Sequence, residues 1–376
     1  LRVPDKATID ALIEDKVQAG DWSSHLGHSN SSVINTSTWA LLITGRLLAP
    51  VDENKVSSTM RGLVKRVGEP VVRKAVAQAM KEFGSQFVLG RTMKEATHRA
   101  KKLTSQGYTH SYDMLGEAAR TAEDATRYFN SYSQAISDLA PHCKDDDIRN
   151  NPGISVKLSA LHPRYEWGQR TRVLAELVPQ VLALALQAKE ANMGFNVDSE
   201  EADRLDLSLD VIAAVIASPQ LADWNGFGVV VQAFSKRAPW VLDWLYALAN
   251  GLDRKIMVRL VKGAYWDAEI KRAQVMGLTG FPVFTRKVNT DLSYLACAKQ
   301  ILTMNDRIYA QFATHNAHSV AAILQMADAN HAYEFQRLHG MGESLHASVM
   351  AQGGVRCRVY APVGAHHDLL AYLVRR

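Results

Sequence analysis

Residues 227–261 read FGVVVQAFSKRAPWVLDWLYALANGLDRKIMVRLV, and their pattern is the clearest indication of the fold class. Two short apolar runs, Phe227–Gln232 and Ile256–Val261, flank a longer apolar segment at 240–249. A strand, a helix and a second strand in this order are typical of a βαβ unit, in which the two strands lie parallel. The same alternation continues on both sides of this stretch.

Eight strand-like runs occur between residue 107 and the last residue given, with helix candidates in most of the intervals. The runs are 108–114, 154–158, 195–198, 227–232, 256–261, 309–313, 334–338 and 355–360. Eight repeats over this length predict a (β/α)8 barrel of the TIM type at 107–376. Residues 1–106 show helical spacing without strands and predict an α-helical accessory region. An open doubly wound sheet is the alternative fold.

The composition is typical of a folded globular protein. Of 376 residues, 47% are hydrophobic and 22% are charged, which excludes disordered and collagen-like classes. The 43 basic and 38 acidic residues leave a formal charge of +5, a modest bias. The scattered residues Cys143, Cys297 and Cys357 favour a reducing compartment. We find no signal peptide and no apolar run long enough to cross a membrane, so we expect a cytoplasmic protein.

Polar side chains close the predicted strands, where barrel enzymes place their catalytic groups. They are Asp113, Glu117, Lys157, Asp198, Gln232, Arg259, Lys262, His315, Asn316, His339 and Tyr360. A buried charge is costly unless it is paired, so eight such endings in succession indicate one polar site. Cations outnumber acids when Arg375 and Arg376 are included. This excess suits an anionic ligand, such as a carboxylate, a phosphate or a reduced anionic cofactor.

Simpler interpretations of several residues stay open at this point. Arg375 and Arg376 could be solvated arginines at the end of a helix. Lys157 could form a buried ion pair, and Asp198 could bind neighbouring backbone amides. The pair of histidines at 315 and 318 is weak evidence for zinc, and no metal is predicted.

Five motifs carry a family resemblance. They are SVKLSALHPRY at 155–165, NVDSEEADR at 196–204, RLVKGAYW at 259–266, FATHN at 312–316 and YLVRR at 372–376. In this order they resemble the proline dehydrogenases, and in particular the proline dehydrogenase portion of bacterial proline utilization A. The resemblance covers essentially the whole chain, including the helical lead-in, which is similar to that family's dimerization arm and α-domain.

The resemblance implies a barrel that binds FAD without covalent attachment and oxidises L-proline to Δ1-pyrroline-5-carboxylate. Hydride passes from proline C5 to flavin N5, and a membrane quinone, ubiquinone or menaquinone, reoxidises the flavin. The implied catalytic residues are Lys157, Asp198, Arg259 and Tyr265. The implied substrate-binding residues are Lys157, Leu338, Tyr360, Tyr372, Arg375, Arg376 and Glu117, the last as a partner of Arg375. The implied FAD-binding residues are Gln232, Arg259, Val261, Lys262, Gly263, Trp266, Thr285, Lys287, His315 and Asn316.

The resemblance also has limits. We expect a truncated form, because the family's aldehyde dehydrogenase domain is absent from the 376 residues. Nothing resembles a DNA-binding ribbon–helix–helix, so no nucleic-acid partner is expected. A homodimer through the N-terminal arm and peripheral contact of the full-length protein with the inner face of the membrane are implied.

Two other functions are compatible with the residues alone. Lys157 or Lys262 could form a Schiff base in a pyridoxal-phosphate barrel. The barrel could also be a non-enzymatic module that retains substrate without turnover.

Overall fold

Eight parallel strands form a closed barrel in the computed structural model, which describes residues 87–364. The strands are β1 Thr109–Met114, β2 Gly153–Val156, β3 Gly194–Val197, β4 Phe227–Gln232, β5 Ile256–Val261, β6 Ile308–Ala313, β7 Tyr333–Leu338 and β8 Arg356–Val363. Each strand pairs with its neighbours in chain order, and β8 closes on β1. The predicted (β/α)8 barrel is confirmed, and the open doubly wound sheet is wrong.

In the described part of the chain, helix α1 precedes the first strand and the other helices follow the strands. They are α1 Met93–Thr104, α2 Ala122–Leu139, α3 Leu158–Leu161, α4 Arg170–Glu190, α5 Leu205–Ile216, α6 Ala238–Gly251, α7 Trp266–Val275, α8 Lys287–Leu302, α9 Ala317–Met326 and α10 Glu343–Ala351. The long connection after β5 contains both α7 and α8. Within residues 87–364, no helix has the length and apolar composition that a bilayer crossing requires.

Helix α1 lies inside the region predicted as accessory, yet it packs against β1, β8 and α2. The chain divides into two units, Leu1–Phe87 and Val88–Arg376. Residues 1–86 and 365–376 lie outside the described residues. The predicted arm and its boundary at residue 106 therefore stay predictions.

Alternate residues of each strand face opposite sides of the barrel wall. Apolar side chains such as Val156, Phe195 and Phe312 belong to the core between the sheet and the helices. The intervening positions carry polar side chains that bond across the interior. For example, Arg259 on β5 donates a hydrogen bond to Ser111 on β1, which is not a neighbouring strand. The interior of this barrel is therefore polar, and the site lies at its carboxyl end.

Candidate active site

Two cations and two carboxylates form one buried network at the carboxyl ends of the strands. The Nζ atom of Lys157 lies 2.7 Å from Oδ1 of Asp113 and 3.1 Å from Oδ2 of Asp198. Oδ1 of Asp198 accepts a hydrogen bond of 3.0 Å from Nη1 of Arg259. The hydroxyl of Tyr360 donates to Oδ2 of Asp198 at 2.8 Å. The network thus joins five residues and balances two positive charges against two negative ones.

The order of the strands brings these residues together. Asp113 lies in β1 and pairs in register with Ser155 of β2, two residues before Lys157. Lys157 follows β2, and Asp198 follows β3. Because parallel strands end at the same edge of the barrel, residues far apart in sequence become neighbours.

Burial controls the protonation of this network. Burial alone would lower the pKa of Lys157, but the charges of Asp113, Tyr360 and Asp198 together raise it well above its usual value. Burial raises the pKa of Asp113, and Lys157 opposes that shift. Burial, with Asp113 and Asp198 nearby, also raises the pKa of the Tyr360 hydroxyl. Lys157 is therefore a charged donor, which is unsuited to forming a Schiff base and does not favour the pyridoxal-phosphate alternative.

Four further contacts fix the Arg259 guanidinium, which is 3% exposed. Nη1 also donates to Ser155 Oγ and Nη2 donates to Ser111 Oγ, both at 3.0 Å. Nε donates to Oε1 of Gln336 at 2.6 Å. The Arg259 carbon Cζ lies 5.1 Å from the centre of the Tyr360 ring, within the range of a cation–π contact. Every nitrogen of the side chain is therefore bonded.

A second group of predicted residues lies beyond β5. Lys262 and Lys287 bind the two oxygens of Asp291 at 2.5 and 2.6 Å, so this cluster keeps one net positive charge. Trp266 is 42% exposed, and its Nε1 donates to the carbonyl of Phe284 at 2.9 Å. The indole is thus held in place with part of its surface open to solvent.

Gln232 and Gly263 lie on adjacent strand ends. Nε2 of Gln232 donates to the carbonyl of Glu200 at 2.8 Å, and its Oε1 accepts from the backbone of Ala264 at 3.1 Å. Gly263 has φ of +136°, and a Cβ there would lie 2.4 Å from the Phe234 ring. Glycine is therefore required at 263 by both backbone conformation and space.

His315 and Asn316 follow β6. The backbone nitrogen of Leu338 donates to Nε2 of His315 at 2.9 Å, which orients the imidazole. Oδ1 of Asn316 accepts from the backbone of Ser319 at 2.9 Å and caps helix α9. The side-chain oxygen Oδ1 of Asn316 is thus used as the helix cap, and the side-chain amide nitrogen Nδ2 is the group available to donate a hydrogen bond to a ligand.

The structure distributes the other predicted residues around this edge. The ring of Tyr265 packs with Phe234 and Val283, Val261 ends β5, and Thr285 is exposed before α8. Glu117 is half-buried after β1. Tyr372, Arg375 and Arg376 lie outside the described residues, so their predicted contacts with substrate stay predictions.

Ser111, Ser155 and Gln336 hold Arg259 but were not among the predicted site residues, and Asp113 had no assigned role. All four occupy inward positions on strands with buried polar side chains. Polar residues at alternate strand positions are the available signal in the sequence, but this spacing does not distinguish an inward face from a face in water.

The residues at this edge fit FAD as a ligand. Trp266 presents part of a fixed aromatic plane, and the cluster of Lys262, Lys287 and Asp291 carries net positive charge near it in the chain. An aromatic plane and cations are the groups that a flavin and its diphosphate require.

Comparison with known proteins identifies a protein family that matches most of the chain. The family model described as proline dehydrogenase matches residues 96–376. A model described as the DNA-binding domain of proline dehydrogenase matches residues 1–87, most of which lie outside the described residues. The second match does not agree with the expectation of no nucleic-acid partner.

Individual relatives agree with the first model. The chain is 53% identical to the bifunctional protein PutA of Klebsiella aerogenes, covering 100% of the chain and 29% of the relative. It is 26% identical to proline dehydrogenase of Deinococcus radiodurans, covering 85% of the chain and 94% of the relative. A crystal structure of Bradyrhizobium japonicum proline utilization A superposes with a TM-score of 0.75 at 52% identity, covering 100% of the chain and 38% of that chain. The sequence thus spans under a third of the PutA relative.

Proposed function

The chain belongs to the proline dehydrogenase family, and on that basis we propose that it oxidises L-proline to Δ1-pyrroline-5-carboxylate with FAD as the hydride acceptor. The observation that carries this proposal is the buried network of Lys157, Asp113, Asp198, Arg259 and Tyr360 at the carboxyl end of the barrel. We assign to this network the role of supplying fixed cations to a small zwitterion.

Lys157 is the described cation best placed to bind the proline carboxylate. Its ammonium group has three hydrogens, and the bonds to Asp113 and Asp198 occupy two of them. The third contact, to the Tyr360 oxygen, is 3.5 Å long and therefore weak. One N–H of Lys157 can thus turn to the substrate without breaking either ion pair. Arg375 and Arg376 are proposed as the other carboxylate donors.

Apolar surface is needed for the proline ring. Leu338 ends β7 and pairs in register with Tyr360 of the neighbouring strand β8. Both side chains are partly exposed at the carboxyl edge. We assign them, together with Tyr372, to contact with the ring and exclusion of water.

The reaction removes a hydride from C5 and a proton from the amine nitrogen, the proton passes to solvent, and a C5=N double bond forms. The predicted residues from Gln232 to Asn316 would hold FAD, which when bound would supply N5 as the hydride acceptor, and a quinone would be the final electron acceptor. Because the hydride carries negative charge, a fixed guanidinium near the acceptor lowers the barrier, and Arg259 is assigned this role. Asp198 holds Arg259 and Lys157 at a constant separation. Tyr265 supports the same edge of the site.

Contacts outside the barrel are proposed from the family resemblance. We propose ubiquinone or menaquinone as the electron acceptor, a cytoplasmic location with peripheral contact at the membrane, and a homodimer formed through the N-terminal residues. The match of residues 1–87 favours DNA as a second partner for that segment. A gel-shift titration of the purified chain with double-stranded DNA decides between a DNA-binding and a purely structural segment.

The proposed activity is tested by product formation. The purified chain with FAD, L-proline and an artificial electron acceptor should yield a cyclic imine that 2-aminobenzaldehyde traps as a coloured adduct. D-proline is the matched control, because its carboxylate and its C5 atom cannot both occupy the positions that those groups of L-proline occupy in the site. Absence of the adduct, with FAD bound, would refute the proposal.

A further inference from the structure

A line of hydrogen-bonded side chains runs through the barrel interior from Arg259 to Arg358. Nε of Arg259 donates to Oε1 of Gln336 at 2.6 Å, and Nε2 of Gln336 donates to Oε1 of Glu334 at 2.7 Å. The same Glu334 oxygen accepts from Nε of Arg358 at 2.8 Å. All four residues are buried, and Glu334 is 0% exposed. Gln336 holds Arg259 in the site described above, whereas Glu334 and Arg358 have no role there.

Glu334 dictates which way its neighbouring amides face. An ionised carboxylate can only accept hydrogen bonds, so an amide beside it must present its NH2 group. Gln336 and Gln311 both do so, at 2.7 and 3.0 Å. The carbonyl oxygen of Gln336 consequently faces Arg259, and that of Gln311 accepts from Asn196 at 3.0 Å. A flipped Gln336 would set oxygen against oxygen at Glu334 and NH2 against N–H at Arg259.

Arg358 keeps the Glu334 charge in the interior. A lone buried carboxylate would be neutralised by protonation, and its ability to direct the amides would be lost. Arg358 pairs with it, and its Nη atoms donate to the backbone carbonyls of His110, Asn151 and Arg149 at 3.2, 2.9 and 2.7 Å. The far end of the line is therefore anchored to backbone.

The contacts at the near end complete the constraint on Arg259. Its Nη atoms bond to Ser111, Ser155 and Asp198, and its Nε bonds to Gln336. The bond at Nε adds a third fixed nitrogen, so the guanidinium plane cannot turn about the line through its two Nη atoms. Without it, the plane could tilt while the Nη bonds stretched.

We propose that Glu334 is a positioning residue for the hydride step, acting through the Gln336 amide to fix the plane of Arg259. The inference rests on the proposed function, which gives Arg259 its role beside the hydride acceptor. Glu334 touches neither substrate nor cofactor in this account. Its effect should therefore fall on the rate of flavin reduction and leave proline binding unchanged, since Lys157 is not part of the line.

The kinetic test uses Glu334→Gln, Gln336→Met and the double variant in anaerobic stopped flow with L-proline. Both single variants should reduce the limiting rate of flavin reduction about tenfold, as expected for losing a hydrogen bond to a charged group. The double variant should be no slower than Gln336→Met, because the two residues act in series. The proline concentration for half-maximal rate should stay within about twofold. Gln311→Met is the matched control: it also bonds Glu334 but does not reach Arg259, and its rate should match wild type.

A second readout does not depend on activity. In protein labelled with 15N-arginine, the Nε–H signal of Arg259 is assigned by its absence in Arg259→Lys. It should exchange slowly with water in the wild type and in Gln311→Met, and at least about tenfold faster in Glu334→Gln and Gln336→Met.

The outcomes are distinguishable. Three results together support the proposal. Both single variants reduce the flavin more slowly at an unchanged half-maximal proline concentration, the double variant is no slower than Gln336→Met, and the Arg259 Nε–H exchanges faster in both single variants. Additive effects, a Glu334→Gln rate equal to that of Gln311→Met, or unchanged exchange would overturn it. If wild-type protein is not reduced by proline at all, the proposed function fails and the role in the hydride step fails with it, and the exchange data then decide only whether Glu334 fixes the plane of Arg259.

Discussion

Nη1 of Arg259 lies 3.0 Å from Oδ1 of Asp198, and this ion pair joins β5 to the residue that follows β3. The second oxygen of Asp198 serves Lys157. The Asp198 carboxylate thus sets the separation of the two cations. Lys157 is assigned to binding of the substrate carboxylate, and Arg259 is assigned to hydride transfer.

Replacing Asp198 with Asn should impair both functions. The remaining carboxylate of Asp113 cannot hold two cations, so Lys157 and Arg259 repel each other and lose their fixed positions. We expect kcat/KM for proline to fall by at least about a hundredfold, with FAD content retained. Asp206→Asn is the control, because its ion pair with Arg237 is exposed and should change kcat/KM less than twofold. Equal activities of the two variants would contradict the role of Asp198.

Replacing Lys157 with Met should raise the proline KM and also destabilise the barrel. Asp113 would be left buried without its cation, and breaking such a pair costs about 3–5 kcal/mol. Adding Asp113→Asn should recover most of the free energy of unfolding, measured with urea, because a neutral amide replaces the stranded charge. The KM should stay high in the double variant. Recovery of substrate affinity in the double variant would refute the assignment of Lys157 to the carboxylate.

Glu200 should make stability depend on pH. Burial raises the pKa of this carboxyl to about 6, and its oxygens accept hydrogen bonds from the backbone and hydroxyl of Ser159. Because the folded pKa exceeds the unfolded one, the unfolded chain ionises first, and stability is lost as pH rises from about 4.5 to about 6. The Glu200→Gln variant mimics the protonated acid and should not show this loss. Its advantage over wild type should grow from near zero at the acidic end to about 2 kcal/mol at neutral pH. A constant difference across this range would contradict the raised pKa.

Replacing Gly263 with Ala should disturb the edge where FAD is expected. The positive φ strains any other residue by about 1–2 kcal/mol, and the added Cβ would meet the Phe234 ring. We expect a lower melting temperature and weaker FAD retention on dialysis. At Gly280, a Cβ has open space around it, so Gly280→Ala is the matched control and should retain FAD as wild type does. Similar retention in both variants would mean that Gly263 has no bearing on the cofactor.

The strands and their order could be predicted because each one is a short apolar run between helical segments, as in Phe227–Gln232. Lys157, Asp198, Arg259 and Tyr360 could be predicted because each is a polar residue within or directly after an apolar run. The structure brings the four residues together. Asp113 was visible at a strand end, but its role was not, since nothing in the sequence states that its partner is Lys157.

The polar interior could not be predicted from spacing. Glu334 and Gln336 flank Phe335 on β7, and Arg358 lies between Cys357 and Val359 on β8, a pattern that is equally typical of strands with one face in water. Only closure of the barrel turns those positions inward and requires that each polar group find a partner. The contacts of Arg259 with Gln336 therefore came from the three-dimensional arrangement.

The most direct test of the central claim is an anaerobic absorbance spectrum of the purified chain, loaded with FAD, before and after addition of L-proline. We expect the visible flavin bands to bleach with L-proline in the wild type and to bleach far more slowly in Arg259→Met. A bound flavin that stays oxidised with L-proline, yet is bleached by dithionite, would contradict it.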